Sequence, residues 1–392
     1  MIKHSQYFTE ERFATALVSL IRDVEPKTAI ELGIGNGALS MAALVRWPKL
    51  KVDAVDIDYK VCESEKLIVE SSISVKQGDV LDDTINYYGN KKYDLALCNP
   101  PFVTIKKTDF NTVFKKAHLP DFCKLTQLSA DVVFVAKEML ALKRGGIMAV
   151  ILPDGLLTRK DYLYFRQSLI RQHKILHVVQ LPEMAFTKTE AKTHIVILQK
   201  DVQPSEFVPV SLMDSNGDIV KSTTVRSSDL ENRMDFSFCN SDVGKINIGS
   251  VTLKDVNVTI LRGLNSYKEL RTMNFPYLHS NSFKNATIIR DNVIISRNVG
   301  VQAHKGDIIM CRVGKRTVGK VCFIKDGTYI ISDCLFIIRI PEPYNNQMFR
   351  LLSSDEHHET LRVLAHGVCA QVISKIDLEK YIISLMLNIR NE

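Results

Sequence analysis

The chain of 392 residues lacks the features that define several classes of protein. It has no run of about 18 apolar residues, so no membrane-spanning helix is expected. Its first residues lack the basic-then-apolar layout of a secretory signal peptide. The eight cysteines are scattered without a Cys-x-x-Cys pair, which predicts neither a zinc site nor a disulfide framework. Reduced thiols in a cytoplasmic protein are the simplest interpretation.

What the chain does contain is enough apolar sequence for large cores. Apolar residues make up 45% of it, and its length is typical of one to three domains. The formal net charge of +7 modestly favours a polyanionic partner such as nucleic acid, although a solvated basic surface would give the same charge. We find no acidic and lysine nuclease constellation and no helicase motif.

The most informative stretch is Asn99-Pro100-Pro101-Phe102, which follows a short apolar run predicted to be a buried strand. The two prolines end the strand and stiffen the backbone. The Asn99 amide oxygen and a backbone carbonyl could then accept two hydrogen bonds from an exocyclic amino group, while the aromatic ring stacks on the ring system that carries it. A strand-ending turn with an incidental Phe is the alternative.

A glycine-rich turn lies upstream, between the apolar segment 28–30 and a helix-like segment at 38–45. Gly33 and Gly35 would let the backbone approach a ligand closely. A phosphate-binding loop has a similar appearance, but Glu31 at the strand end would repel phosphate. This turn therefore favours a cationic ligand or an amino group.

Further carboxylates follow the next two predicted strands. Asp56, about 20 residues after the glycine turn, is expected to bind ribose hydroxyls. Asp58 is expected to cap the following helix. Asp79 could accept a hydrogen bond from an adenine amino group. Each acid alone could be an ordinary cap or loop residue, but acids at three successive strand ends followed by Asn-Pro-Pro-Phe form a combination that chance rarely produces.

The alternation of apolar and helix-like segments up to residue 200 predicts an α/β fold with a doubly wound, parallel sheet. Ligands of such sheets bind at the carboxyl ends of the strands, where the motifs above fall. Strands are predicted near residues 28–33, 51–56, 73–76, 93–98, 146–152, 174–181 and 193–200, and helices near 9–22, 37–47, 58–71, 126–142 and 159–172. The segment 104–125, which has no clear period, is expected to be a loop.

These motifs resemble those of the S-adenosylmethionine-dependent DNA adenine-N6 methyltransferases of the gamma arrangement, over roughly residues 4 to 200. The opening His4–Glu10 is similar to the family's first motif, with Ser5 and Glu10 in place of the usual Gly and Pro. The resemblance implies a Rossmann-like class I methyltransferase sheet. It also implies that the first motif closes over the methionine part of the cofactor and that Phe186 flanks a flipped base.

On this resemblance the enzyme moves the methyl group of S-adenosylmethionine to adenine N6 in double-stranded DNA. Asn99 and the Pro100 carbonyl would hold the amine, and Phe102 and Phe186 would stack on the extruded base. Because the sulfonium is already an activated donor, neither a metal nor a strong base is expected. The expected catalytic residues are Asn99, Pro100, Pro101 and Phe102, and the expected cofactor-binding residues are Tyr7, Phe8, Thr9, Glu31, Gly33, Gly35, Asp56, Asp79 and Asn99.

The remainder of the chain is predicted to be separate from the catalytic domain, 1–200. Residues 201–245 are polar and are expected to form a linker or subdomain. Residues 246–392 resemble the mainly β target-recognition domains of type I specificity subunits, although a generic small β-domain has a similar pattern. Basic residues expected to contact DNA lie beside the catalytic motif and in this region: Lys106, Lys107, Arg312, Lys315, Arg316 and Lys320.

Other functions stay open at this point. A side-chain amide or an RNA adenine offers a similar amino group, so a methyltransferase acting on RNA or on a protein glutamine is one alternative. Others are a nucleic-acid-binding module without catalysis and the modification subunit of a multisubunit restriction system. A homodimer and a separate restriction endonuclease are both possible partners.

Overall fold

A computed structural model describes residues 8–63, 71–82, 91–105, 110–182, 185, 192–246, 248–283, 287–288, 299–314, 316–366 and 371–391. The chain divides into two compact units, Met1–Cys239 and Asn240–Glu392. Among the described residues, no helix is long and apolar enough to span a bilayer.

The first unit is built on one sheet, in which nine strands are described. Their order across the sheet is β3-β2-β1-β4-β5-β7-β6-β8-β9. Strands β1 to β5 are parallel, whereas β7 is antiparallel to both of its neighbours, β5 and β6. The predicted α/β doubly wound sheet is thus confirmed. The strands are β1 (Thr28–Leu32), β2 (Lys51–Asp56), β3 (Ile73–Gln77), β4 (Tyr93–Cys98), β5 (Leu142–Pro153), β6 (Lys174–Gln180), β7 (Thr193–Gln199), β8 (Phe207–Met213) and β9 (Ile219–Arg226).

Both faces of the central strands are covered, which is why their sequences are almost continuously apolar. In β4, Ala96 packs into the core on one face, while Leu95 and Leu97 pack into the core on the other. All three side chains are fully buried. The central strands therefore form a rigid platform whose carboxyl ends carry the motifs.

The helices described in the first unit precede, connect or follow these strands along the chain. They are α1 (Glu11–Leu20), α2 (Ala38–Arg46), α3 (Tyr59–Cys62), α4 (Asn111–Lys116), α5 (Ala130–Ala141), α6 (Asp154–Thr158), α7 (Leu163–Gln172) and α8 (Phe236–Cys239). The helix predicted near 58–71 lies only partly within the described residues, as α3.

The segment 104–125 was wrongly predicted to be a loop. It contains α4 and a short 3₁₀ helix, Pro120–Lys124. Phe114 and Phe122 are buried here with ring centroids 5.5 Å apart, and Phe122 stacks on Phe165 at 4.9 Å. Aromatic burial, which the lysines in the sequence obscured, orders this segment.

The boundary between the units also differs from the predicted one. Residues 201–239 belong to the first unit and not to a linker or a separate subdomain, because β8 pairs with β6 and β9 pairs with β8, extending the sheet. The predicted hairpin turn is present, with Asp214 N donating to Asp218 O at 2.9 Å. Strand β9 lies at the edge and is largely exposed, so its sequence is polar and resembles a loop.

The second unit is rich in short strands, as predicted. One sheet has the order β10-β17-β14-β15-β12 and a smaller one the order β11-β16-β13. Three helices that the β-type pattern did not predict follow the last strand, and the run at 293–295, predicted to be β, lies outside the described residues. The strands are β10 (Thr259–Arg262), β11 (Tyr277–Leu278), β12 (Thr287–Ile288), β13 (Gln302–Ala303), β14 (Ile308–Cys311), β15 (Val321–Ile324), β16 (Tyr329–Ile331) and β17 (Leu335–Arg339), and the helices are α9 (Tyr267–Thr272), α10 (Tyr344–Leu352), α11 (Asp355–Leu364) and α12 (Lys375–Asn391).

Candidate cofactor and catalytic site

The glycine turn joins β1 to α2 and has a backbone that favours glycine. Gly33, Gly35 and Gly37 have φ angles of +76°, +54° and +73°. A Cβ at position 35 would approach the Phe8 ring to 3.0 Å, and a Cβ at position 33 would approach the Phe134 ring to 3.1 Å. The turn is therefore held between two aromatic rings and presents bare backbone.

Glu31, at the end of β1, points beneath this turn. Its carboxylate accepts hydrogen bonds from the backbone N–H and the hydroxyl of Ser40 on α2. Burial raises the pKa of Glu31 to about 8, the Ser40 hydrogen bonds oppose that rise, and the nearby Asp56 adds to it. With 2% exposure, Glu31 ties the turn to α2, and its contact with a cofactor stays a prediction.

Asp56 ties the same turn to the end of β2. Its Oδ2 accepts from Gly35 N at 2.9 Å and its Oδ1 accepts from Asp58 N at 2.9 Å. Asp58 in turn accepts from Lys60 N at 2.9 Å, which confirms its predicted role as the cap of α3. Asp79 is exposed and accepts from Leu81 N at 2.8 Å.

Asn99 follows β4 directly and is linked to the glycine turn through Thr9. Its Nδ2 donates to Thr9 Oγ1 at 3.0 Å, and Asn36 Nδ2 donates to the carbonyl of Thr9 at 3.4 Å. Thr9 is 5% exposed. The structure thus brings the predicted catalytic amide and the predicted cofactor turn together through a buried threonine. The part played by Asn36 was not predicted from the sequence.

The rest of the catalytic motif leaves the sheet at this point. Pro100 is buried, Pro101 and Phe102 are half-buried, and Val103 N donates to Pro101 O at 3.1 Å. The Phe102 ring packs against the core under the glycine turn. Tyr7, Lys106, Lys107 and Phe186 lie outside the described residues.

A buried charge network at the end of β5 was not anticipated from the sequence. His194 Nε2 lies 3.0 Å from Asp154 Oδ1, and Lys192 Nζ lies 3.7 Å from both Asp154 and Asp235. Arg233 pairs with Asp235 at 2.8 Å. Although burial opposes it, the hydrogen bond from His194 and the charge of Lys192 hold the pKa of Asp154 well below its usual range. The network ties the start of β7 to the segment before α8.

The described members of the predicted basic set in the second unit, Arg312, Arg316 and Lys320, lie near a turn with Gly314 at φ +124°. Arg312 is half-buried, donates to Asp333 O at 3.0 Å and lies 5.7 Å from the Phe336 ring. Arg316 and Lys320 are exposed, and Lys315 is outside the described residues. Arg262, which the sequence did not single out, also donates to Asp333 O, at 3.4 Å.

No group of three or more metal-ligating side chains occurs within the described part of the chain.

Seven of the strands have the order β3-β2-β1-β4-β5-β7-β6, with β7 antiparallel to its neighbours. This is the arrangement of the class I methyltransferase fold. A family model described as N-6 DNA Methylase matches residues 59–256, which include Asn99–Phe102. The chain belongs to the N-6 DNA methylase family.

Curated relatives match only part of the chain. A type II methyltransferase, M.AccI of Acinetobacter calcoaceticus, is 24% identical over 203 residues, which cover 51% of this chain and 37% of that protein. A tRNA1(Val) (adenine(37)-N6)-methyltransferase of Porphyromonas gingivalis is 29% identical over 83 residues, 20% of this chain and 32% of that protein. The matched segments thus span only about a third of these relatives.

One solved structure is similar over both units. The type IIG restriction endonuclease BpuSI has a TM-score of 0.51 and 12% identity, and the match covers 98% of this chain and 61% of that chain. At this identity the likeness is one of fold.

Proposed function

We propose that this protein transfers the methyl group of S-adenosylmethionine to the N6 amino group of adenine in double-stranded DNA, and that it is of the gamma arrangement. The observation that carries the proposal is the link from Asn99 through Thr9 to the glycine turn, with Asn99 Nδ2 3.0 Å from Thr9 Oγ1. An amide that must hold an amine and a turn that must hold a methyl donor are joined by one side chain.

The residues at the turn fit S-adenosylmethionine. Gly33 and Gly35 present bare backbone at positive φ, so a flat or cationic group can approach closely. Phe8 is 43% exposed beside Gly35 and provides a ring next to the turn. Asp56 supplies the carboxylate for ribose hydroxyls, Asp79 an exposed carboxylate for the adenine amino group, and Tyr7, Phe8 and Thr9 close over the methionine part. When bound, the cofactor supplies an activated methyl group on a sulfonium.

The role of Asn99 is to orient the target amine. The lone pair of adenine N6 is delocalised into the ring, so the nitrogen is a poor nucleophile. Hydrogen bonds from its two N–H groups to the Asn99 side-chain oxygen and the Pro100 carbonyl favour a pyramidal nitrogen that directs its lone pair at the methyl group. The hydrogen bond from Asn99 Nδ2 to Thr9 supports this orientation, because it fixes which way the amide faces. Positioning and electrostatics then account for the rate.

The adenine must leave the duplex to reach this site. Phe102, half-buried beside Asn99, and Phe186 stack on the extruded base, and the two prolines keep the motif rigid. Lys106 and Lys107 contact phosphates beside the site.

We assign target recognition to the second unit, from residue 240 onward. Arg316 and Lys320 are exposed beside the Gly314 turn, and Arg262 and Arg312 converge on the Asp333 carbonyl. Together with Lys315, this is a concentration of cations of the kind that duplex DNA attracts. An arginine there reads guanine and a lysine contacts phosphate. Double-stranded DNA is the proposed partner, with a homodimer or a separate endonuclease as further partners.

RNA is the second candidate substrate, favoured by the partial identity with a tRNA adenine-N6 methyltransferase. DNA is preferred, because the match to the type II methyltransferase extends over 203 residues, against 83 for the tRNA enzyme. Protein glutamine and a modification subunit that borrows its recognition from a partner are further alternatives.

The test is a tritiated-methyl transfer assay on duplex DNA lacking adenine methylation, on total tRNA and rRNA, and on a glutamine-containing peptide. We expect N6-methyladenine in DNA only, and Asn99→Ala to serve as the inactive control. Transfer to RNA or peptide with none to DNA would contradict the proposal. Sequencing that detects modified bases would then identify the sequence context.

A further inference from the structure

A carboxyl group for which the proposed mechanism has no use lies in the core behind the site. Glu138, on α5, is fully buried. Its Oε1 accepts a hydrogen bond from Leu32 N at 3.0 Å. Leu32 is the last residue of β1 and directly precedes Gly33 of the cofactor turn.

The same region holds the end of the catalytic strand. Cys98 is the last residue of β4 and directly precedes Asn99, and its thiol donates to Leu32 O at 3.7 Å. The ladder between β1 and β4 ends one position earlier, at Glu31 opposite Leu97. Glu138 therefore holds the Leu32 N–H at the point where the pairing of the two strands stops.

The second oxygen of the carboxyl group faces the same strand ends. Glu138 Oε2 is buried without a hydrogen bond of good geometry among the described residues, and the Cys98 thiol is close enough to interact with it. Burial raises the pKa of Glu138 well above its usual value, and Glu31 adds to that rise. The Leu32 N–H donates to this carboxyl group and the Cys98 thiol lies beside it, so Glu138 contacts the ends of both strands.

We propose that Glu138 is a positioning residue that fixes the end of β1 against the end of β4 and so sets the spacing between the cofactor turn and Asn99. The inference rests on the proposed function, in which the cofactor turn holds the methyl donor and Asn99 holds the target amine. Each loop alone is already anchored, the turn by Asp56 and Asn99 by Thr9. Glu138 contacts the strand ends from which both loops depart.

This role predicts a particular kinetic pattern. Loss of the hydrogen bond between Glu138 and Leu32 N leaves the Asp56 anchor of the cofactor turn in place, so the affinity for S-adenosylmethionine changes little. The alignment of donor and amine suffers, so kcat falls; misplacement by about 1 Å can cost about 100-fold. If the variant were only less stable, its loss of kcat would parallel the fall in melting temperature. The affinity for S-adenosylmethionine would then fall together with kcat.

Three variants of the full chain test the proposal. Glu138→Gln keeps a side-chain oxygen that can accept from Leu32 N, whereas Glu138→Leu keeps the approximate volume and removes that acceptor. Val135→Ala, at a fully buried apolar position of the same helix, is the control for destabilisation alone. For each, kcat on duplex DNA, the dissociation constant of S-adenosylmethionine and the melting temperature are measured.

We expect Glu138→Leu to lose about 10- to 100-fold in kcat with binding of S-adenosylmethionine within about 3-fold, and Glu138→Gln to restore most of the kcat. Equal losses of kcat in the Gln and Leu variants would overturn the proposal, as would an equal loss in Val135→Ala at a similar melting temperature.

Amide hydrogen exchange at Leu32 separates this inference from the proposed function, because it needs no turnover. Protection of the Leu32 amide should be lost in Glu138→Leu and kept in Glu138→Gln, whatever the wild-type protein methylates. Unchanged protection in Glu138→Leu would refute the proposed contact between Glu138 and Leu32. Lost protection together with a wild-type protein that is inactive on DNA would refute only the proposed DNA substrate.

Discussion

Replacing Asp56 by Ala is the perturbation with the most complete structural basis. The carboxylate is 6% exposed and receives two backbone hydrogen bonds, from Gly35 N and from Asp58 N, each at 2.9 Å. It therefore anchors the cofactor turn as well as providing the proposed acceptor for ribose hydroxyls. The substitution removes both functions at once.

The size of the effect follows from the groups left unpaired. A hydrogen-bonding partner left without its acceptor costs about 1–3 kcal/mol, so Asp56→Ala should weaken binding of S-adenosylmethionine by about 5- to 150-fold. The release of the Gly35 N–H adds to this loss, because the turn no longer has its bound conformation before the ligand arrives.

Isothermal titration calorimetry with S-adenosylmethionine measures the effect, with the melting temperature recorded alongside. Asp58→Ala is the matched control, since Asp58 caps α3 through Lys60 N and should cost about 1 kcal/mol of stability while leaving the affinity near that of the wild type. An unchanged affinity in Asp56→Ala would refute the assignment of this carboxylate.

Four further outcomes are expected. Asn99→Ala should abolish methyl transfer while calorimetry still detects cofactor binding, because the amide faces the amine; normal turnover would exclude the mechanism. Phe102→Ala should weaken capture of the flipped base by about 1–3 kcal/mol, measured with a fluorescent base analogue at the target position, and unchanged fluorescence would count against stacking. Lys320→Ala should weaken binding to all DNA sequences alike and reduce the slope of log K against log salt concentration by about 1. A changed sequence preference would argue for a base contact instead. Glu31 has a folded-state pKa of about 8 against 4.5 when unfolded, so the folded protein binds the extra proton between these values. Stability should fall as pH rises through that window, and Glu31→Gln should flatten the fall in a series of melting curves. An identical slope in both proteins would show that folding does not raise the pKa of Glu31.

The placement of the motifs at the strand ends was more predictable from the sequence than the outer parts of the fold. The motifs that contain Gly33, Gly35 and Asn99 can be recognised in the sequence, because their chemistry requires particular residue types next to apolar strands. Strand β9 was taken for part of a linker, since an exposed edge strand has no apolar alternation to detect. The helix α4 was missed because its lysines masked buried aromatic residues such as Phe114.

Assignments of role were limited in a different way. The contact of Glu31 with a ligand stays a prediction, and the sequence did not indicate that its carboxylate accepts hydrogen bonds from Ser40. A residue's position along a strand predicts which edge of the sheet it occupies, but the packing of the next helix decides which way the side chain turns. For Glu31 that helix is α2.

The sequence by itself determined the parallel part of the sheet and the order of the motifs along it, because these depend on local periodicity and on residue identity. Tertiary structure alone decided the contacts that cross long stretches of chain. Thr9 meets Asn99 across 90 residues, and Glu138 meets Leu32 across 106. No local pattern encodes such pairs, since each exists only after the sheet and its covering helices have packed. The proposed alignment of the amine with the donor therefore depends on contacts that exist only in the folded core.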